Sequence, residues 1–155
     1  MPEDKITFSP AMHRQLGVDL FNYTWTLIDK GDRTPDEAEI MVHAAHASAY
    51  HWRQVGKPLN FARSDWQISR VYAVLNRPEA ALYHAQHCLE ICEAESIGDF
   101  DLAFAYEALA RSYAIGRKQE EAQKYLELAR QAGEQIKKKD DRSYFLDELD
   151  TIDSG

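Results

Sequence analysis

The segment RVYAVLNRPEAA, residues 70–81, returns forty-one residues later as RSYAIGRKQEEA, residues 111–122. An Arg-x-Tyr-Ala group and a Glu-x-Ala group hold the same places in both copies, and the same interval relates Ala62 to Ala103. Self-similarity with a period of roughly 20–50 residues is typical of stacked repeats, in which each unit buries its apolar face against a neighbour. The sequence therefore predicts a repeat of two helices over residues 60–139.

Length and composition restrict the class of protein. The chain has 155 residues, of which 45% are hydrophobic and 28% are charged, and this favours one globular domain. Its net charge of −8 disfavours nucleic acid as a partner, because binding to nucleic acid needs a basic surface. The basic run at residues 137–139 is expected near a helix C-terminus, where cations interact favourably with the helix dipole.

Neither a signal peptide nor an apolar run of transmembrane length is found in the sequence. We therefore expect a cytoplasmic protein without a membrane partner. Catalytic signatures are also missing, since the sequence has no GxSxG elbow and no Gly-rich phosphate loop. Cys88 and Cys92 follow neither a CxxC motif nor a disulfide framework, and we expect both in the core as small hydrophobic residues. The sequence thus predicts no enzyme, no catalytic residue and no cofactor.

The spacing of apolar residues predicts about seven helices and no sheet. Gly31 suits the end of the first helix, and Thr34 and Pro35 suit the beginning of the second. The buried face of the first helix is expected to carry four apolar residues: Leu16, Leu20, Tyr23 and Leu27. In chain order, we expect helices at about residues 10–29, 35–55, 61–75, 78–96, 100–115, 118–139 and 143–152.

Two segments place large and small residues in a pattern that resembles the tetratricopeptide repeat family. Residues 68–89 have Tyr72 as the large residue and Ala81 as a small one, and residues 109–129 repeat this with Tyr113. The usual period of that family is about 34 residues. The longer period of this chain, forty-one residues, resembles that of repeats in bacterial peptide-responsive regulators. We expect the two tyrosines at equivalent places in the core.

The resemblance implies an all-α superhelix of about three helical hairpins in a single domain, with a capping helix at the C-terminal end. A capping helix is also expected on physical grounds, because the last repeat leaves an apolar face open. The expected units are a degenerate hairpin at about residues 10–56, repeats at 60–97 and 100–139, and the capping helix at 142–152.

In the tetratricopeptide family, the first helix of each pair lines a concave groove that binds peptides. The resemblance therefore implies a non-enzymatic scaffold that binds a peptide or protein segment. Two arginines one period apart can grip a carboxylate, so an acidic partner segment is plausible. The alternative is that Glu107 pairs with Arg111 at i,i+4 spacing and that Trp66 belongs to the core. In the same alternative, Arg70 pairs with Asp65 or with another carboxylate across the stack. The candidate ligand-binding residues are Arg63, Trp66, Arg70, Phe104, Glu107 and Arg111.

Two further hypotheses stay open. The i,i+3 pairs His43/His46 and His84/His87 suit a metal-dependent enzyme on a helical bundle. However, the HExxH and Glu-x-x-His patterns are absent, and the prediction is that no metal binds. The other hypothesis is a structural module that self-associates as a homodimer, because a short stack has open ends.

Overall fold

The computed structural model describes residues 7–152. These residues form seven α-helices and no β-strand, which confirms the predicted all-α class. None of the described helices combines the length and the apolar character that crossing a membrane requires. In chain order the helices are α1 (Pro10–Ile28), α2 (Pro35–Val55), α3 (Pro58–Val74), α4 (Pro78–Ala94), α5 (Asp99–Ile115), α6 (Gln119–Glu134) and α7 (Lys139–Leu149).

Local signals explain where the first four helices begin. At the first position of a helix, proline loses no hydrogen bond and its fixed φ suits the helical backbone. Thr34 adds a capping box to α2, since its side chain accepts a hydrogen bond from the amide of Glu37 at 3.1 Å and the Glu37 carboxylate accepts one from the Thr34 amide at 3.1 Å. The four prolines in first turns are Pro10, Pro35, Pro58 and Pro78.

The same turn closes α3 and α5. Asn76 and Arg117, one period apart, have φ values of 57° and 59° in the left-handed region. The residue after each of them donates a 2.9 Å hydrogen bond from its backbone amide: Arg77 to the carbonyl of Tyr72, and Lys118 to the carbonyl of Tyr113. This is the Schellman arrangement, in which glycine is the usual left-handed residue. The repeat in the sequence is therefore a repeat in the backbone as well.

The two tyrosines also have equivalent side-chain surroundings. Tyr72 stacks on His84 with ring centroids 5.9 Å apart, and Tyr113 stacks on Tyr125 at 5.6 Å. His84 and Tyr125 are themselves separated by forty-one residues. The two tyrosines thus lie at matching places between the helices of a hairpin, as expected, but they are half-buried against the core and not inside it.

The odd-numbered helices form the inner layer of the stack. The backbones of α1, α3, α5 and α7 approach one another in that order, whereas those of α2, α4 and α6 do not over the described residues. When the helices of one layer lie closer to one another than those of the other layer, the stack curves towards the closer layer. The concave face therefore lies along α1, α3, α5 and α7.

The boundary between α6 and α7 differs from the expectation. α6 ends at Glu134, and α7 already begins at Lys139. The basic run at residues 137–139 thus spans the turn and the first residue of α7, and the expected position at a helix C-terminus is wrong. A Cβ at Gly133 would lie 2.5 Å from the ring of Phe145. The close approach of Phe145, which is fully buried, explains why the chain turns soon after Gly133.

The buried face of α1 also differs from the expected one. Leu27 is buried, but Tyr23 is 45% exposed and Leu16 and Leu20 are only half-buried. The helix instead turns Gly17 towards α2, where a Cβ would lie 3.0 Å from the indole of Trp52. A small residue at this place allows α1 and α2 to approach closely, and the apolar contact between these helices is made nearer the end of α1, by Leu27 and Ile28.

Candidate functional site

A cavity of about 440 Å³ opens on the concave face, between α1, α3, α5 and α7. Ligand sites are typically about 300–1,000 Å³, with mostly apolar walls and a few polar groups. This cavity has both properties. The lining residues are Phe21, Trp25, Ala62, Arg63, Trp66, Cys88, Phe100, Asp101, Phe104, Asp141 and Tyr144.

Each inner helix contributes at least one aromatic ring to the wall of this cavity. Trp25 of α1 lies 5.3 Å from Trp66 of α3, measured between ring centroids. Trp66 lies 5.1 Å from Phe104 of α5, which lies 6.1 Å from Tyr144 of α7. The Nε1 of Trp66 is buried and has no hydrogen-bond partner among the described residues. The wall is a connected aromatic surface with tilted and edge-to-face contacts, an arrangement that aromatic pairs prefer.

An ion pair between α3 and α5 borders the cavity. The guanidinium of Arg63 donates to both carboxylate oxygens of Asp101, at 2.8 and 3.2 Å. This contact raises the pKa of Arg63 above its ordinary value. Bidentate pairing of this kind fixes both side chains. Arg63 is therefore already paired with a carboxylate where it lines the cavity.

A second ion-pair network lies beside the cavity, around the fully buried carboxylate of Glu107. Glu107 accepts from Arg70 of α3 at 2.6 Å and from Arg111 of its own helix at 3.4 Å. Glu148 of α7 accepts from Arg70 at 3.3 Å, and its backbone carbonyl accepts from Arg111 at 3.2 Å. Burial alone lowers the pKa of Arg70, but the two carboxylates outweigh it and leave that pKa raised. The network links α3, α5 and α7.

The six predicted binding residues fall into two groups of three. The gap between Trp66 and the charged side chains of the network does not admit a water molecule, so the network is closed. The i,i+4 contact of Glu107 with Arg111 that the sequence left as an alternative is formed. The residues that line the cavity are Arg63, Trp66 and Phe104. Those in the network are Arg70, Glu107 and Arg111.

The sequence analysis missed several residues of the cavity. Trp25 precedes Trp66 by forty-one residues, and this spacing is a signal that could have placed it in the first unit. For Phe21, Asp141 and Tyr144, the sequence contains no comparable signal, because their positions depend on how α1 and α7 approach the repeats. Phe100 and Asp101 lie in the first turn of α5, where the sequence analysis singled out no residue. The missed residues are Phe21, Trp25, Phe100, Asp101, Asp141 and Tyr144.

A separate polar cluster joins α3 to α4. Asp65 is 8% exposed, and its two oxygens accept from the Nδ1 atoms of His84 at 2.9 Å and His87 at 2.7 Å. Two imidazole donors satisfy the buried carboxylate. The cluster therefore gives Asp65, His84 and His87 a packing role between these helices.

The two histidines of the other predicted pair, His43 and His46, have different surroundings. His46 contacts the hydroxyl of Tyr72 at 2.9 Å, whereas His43 points to solvent near Glu39 at 4.0 Å. Burial and the nearby His84 lower the pKa of His46. Between residues 7 and 152, no group of three or more His, Cys, Asp or Glu side chains is arranged to hold a metal ion. The four histidines of the metal-enzyme hypothesis do not converge on one point.

Another histidine contact joins the beginning of α1 to the end of α2. The Nδ1 atoms of His13 and His51 lie 2.9 Å apart, so one ring donates and the other accepts. Burial and the proximity of His13 lower the pKa of His51. Protonation of both rings would break this hydrogen bond, because neither Nδ1 would then accept.

Both cysteines are buried, as expected, with 2% and 1% exposure for Cys88 and Cys92. The contact with Cys92 and burial hold the pKa of Cys88 well above its ordinary value. A thiol with a raised pKa is a weak nucleophile. Cys88 therefore contributes an apolar patch to the cavity.

No family model, curated protein or solved structure matches this chain. The helical repeat is supported by the structure itself, through the equivalent turns and tyrosine stacks. A function can therefore be inferred only from the cavity and the charges around it.

Proposed function

We propose that this protein is a non-enzymatic binding module of the tetratricopeptide type. Its concave face would hold a segment of a partner protein, with one large apolar side chain in the 440 Å³ cavity. The repeat supports this class, because the first helix of each hairpin lies on the concave face, where the resemblance places the groove of that family. The observation that carries the proposal is the aromatic cavity, to which all four inner helices contribute.

The composition of the cavity favours binding over chemistry. Its wall offers aromatic faces, the paired charges of Arg63 and Asp101, and a Cys88 thiol with a raised pKa. A large apolar side chain that enters such a cavity loses its contact with water and gains contacts on several sides. Binding energy at protein interfaces is concentrated in anchors of this kind.

The ion-pair network determines where the segment can lie. Arg70, Glu107 and Arg111 are held together by α7, and the space between them is closed. A partner segment would therefore contact the cavity and its rim between α1 and α7. The arginines of the network would position the inner helices and would not contact the partner directly.

Selection of random peptides without tryptophan, displayed on phage, tests this function. We expect enriched peptides to share a large apolar residue and to change the fluorescence of Trp25 and Trp66. Replacing Tyr144, which is half exposed at the cavity, by alanine should weaken binding by at least about fivefold, as expected for an interface anchor.

Tyr83→Ala is the matched control. Tyr83 is 65% exposed and lies on α4, away from the cavity, so its removal should leave peptide affinity unchanged. Circular dichroism establishes that both variants stay helical. Failure to enrich any peptide, or equal affinity for Tyr144→Ala and the unaltered chain, contradicts the proposal. Light scattering that shows a dimer dissociated by Tyr144→Ala would instead identify a second copy as the occupant.

A further inference from the structure

We infer that the partner segment carries a lysine or arginine next to its apolar anchor. This inference rests on the proposed function and specifies its partner. It concerns the charges around the cavity, and it differs from the acidic partner that the three arginines suggest in the sequence.

The arginines on the concave face are already paired with carboxylates of the chain itself. Arg63 is paired with Asp101 through two hydrogen bonds, and Arg70 and Arg111 share the buried Glu107. At Arg70 or Arg111, a partner carboxylate would have to displace Glu107 or Glu148. At Arg63, it would lie beside the Asp101 carboxylate, which repels it. Opening the network would leave the Glu107 carboxylate buried without its partner, which is strongly unfavourable.

The carboxylates show the opposite pattern. Asp141 lines the cavity, is half-buried, and forms no ion pair or hydrogen bond with the described residues. Asp29, exposed at the end of α1, is close enough to contribute with burial and Glu148 to the raised pKa of Tyr144. Arg63 and Asp101 cancel each other, so the cavity has a net negative charge at its rim.

The aromatic wall adds to this preference. A cation over the face of tryptophan or tyrosine is attracted by the ring, and desolvation strengthens this attraction. The net charge of −8 also attracts a basic segment from a distance. The lysines at residues 137–139 are exposed and none lines the cavity. A basic residue beside an apolar anchor therefore fits both the rim and the wall.

Four acetylated peptide amides test the inference: Ser-Lys-Phe-Lys-Ser, Ser-Gln-Phe-Gln-Ser, Ser-Glu-Phe-Glu-Ser and Ser-Lys-Ala-Lys-Ser. Affinities are measured from amide shifts of the isotope-labelled chain at low and high salt. The Lys-Phe-Lys peptide should bind at least about threefold more tightly than the Gln-Phe-Gln peptide at low salt, and salt should reduce the difference. The Glu-Phe-Glu peptide should bind least among the three phenylalanine peptides.

Asp141→Asn should remove most of this charge preference, so that the Lys-Phe-Lys and Gln-Phe-Gln peptides bind with similar affinity. Asp147→Asn, an exposed change on the same helix, is the control and should keep the preference. Binding of the neutral peptide with no preference for lysine overturns the inference while the proposed function stands. Equal binding of Lys-Phe-Lys and Lys-Ala-Lys also overturns it. If none of the phenylalanine peptides binds, the proposed function fails as well.

Discussion

The hairpin of α3 and α4 and the hairpin of α5 and α6 share one backbone plan but differ at the positions that face the site. Both inner helices end in the same left-handed turn, and both stack a tyrosine on a ring of the second helix. Trp66 of one hairpin nevertheless corresponds to Glu107 of the other. The first forms the cavity wall, and the second organises the ion pairs. Equivalent positions thus line the cavity in one unit and hold the ion pairs beside it in the next.

The contact between the two helices of each hairpin differs in a similar way. Asp65 corresponds to Tyr106, and His84 corresponds to Tyr125. A hydrogen-bonded carboxylate and imidazole therefore occupy the place that a pair of stacked tyrosines, 6.4 Å apart, occupies in the next unit. The backbone geometry of the repeat accommodates either polar or aromatic contacts, as long as the partners satisfy each other.

The largest difference in stability is expected between variants at the equivalent positions Glu107 and Trp66. Glu107→Ala leaves Arg70 and Arg111 partly buried without their shared carboxylate, and the free energy of unfolding should fall by about 3–5 kcal/mol. Trp66→Phe keeps an aromatic ring and removes an N–H without a partner, so its loss should be below about 1 kcal/mol. Urea denaturation measures both. Similar losses for the two variants would contradict the different roles of these positions.

A smaller contrast is expected between Asp65 and Tyr106. Asp65→Ala removes the acceptor of two imidazole N–H groups and should lower the free energy of unfolding by about 2 kcal/mol. Tyr106→Phe removes a hydroxyl from a half-buried ring and should stay within about 0.5 kcal/mol. Thermal melting of the two variants at pH 7.5 gives the comparison. If Asp65→Ala leaves the free energy of unfolding unchanged, the polar cluster contributes nothing to packing.

The two left-handed turns should respond to glycine with a gain in stability. Arg117→Gly should raise the free energy of unfolding by up to about 1 kcal/mol, because glycine adopts this backbone conformation without strain. Asn76→Gly should gain less, since asparagine enters the left-handed region more readily than arginine. Ala73→Gly in α3, at an ordinary helical position, is the control and should destabilise the chain. A loss at Arg117 would argue against the Schellman turn there.

The smallest effect is expected from pH. The pKa values of His46 and His51 are lowered in the folded chain, so the unfolded chain binds more protons as pH falls through the usual range of histidine. Stability should therefore decrease modestly from pH 7.5 to pH 5.5, where carboxylates stay ionised. His46→Gln should reduce this decrease, whereas Tyr113→Phe, in the unit without histidines, should not. A stability that rises towards pH 5.5 would contradict the lowered pKa values.

Local signals made most of the fold predictable. Prolines and capping residues act within a few positions of the chain, and Thr34 with Pro35 accordingly predicts the beginning of α2 correctly. The end of α6 escapes such reasoning. It depends on contact between Gly133 and Phe145, and a pattern of apolar residues does not reveal how closely two helices approach.

The site was predictable only where the repeat extends. Trp66 and Phe104 follow from the inner faces of α3 and α5, whereas Tyr144 enters the cavity through the docking of α7. Sequence spacing shows that Arg70 and Arg111 are equivalent. It does not show that α7 brings Glu148 to both of them, which changes their role from free cations to paired ones.

The cavity has a mechanical consequence. α1 and α7 do not approach each other directly over residues 7–152, yet both contribute walls to the same cavity. An occupant would act as a strut between the first and last helices of the superhelix and would limit its bending. Its arrival should slow amide exchange in α1 and in α7 together, although the backbones of these two helices do not approach each other.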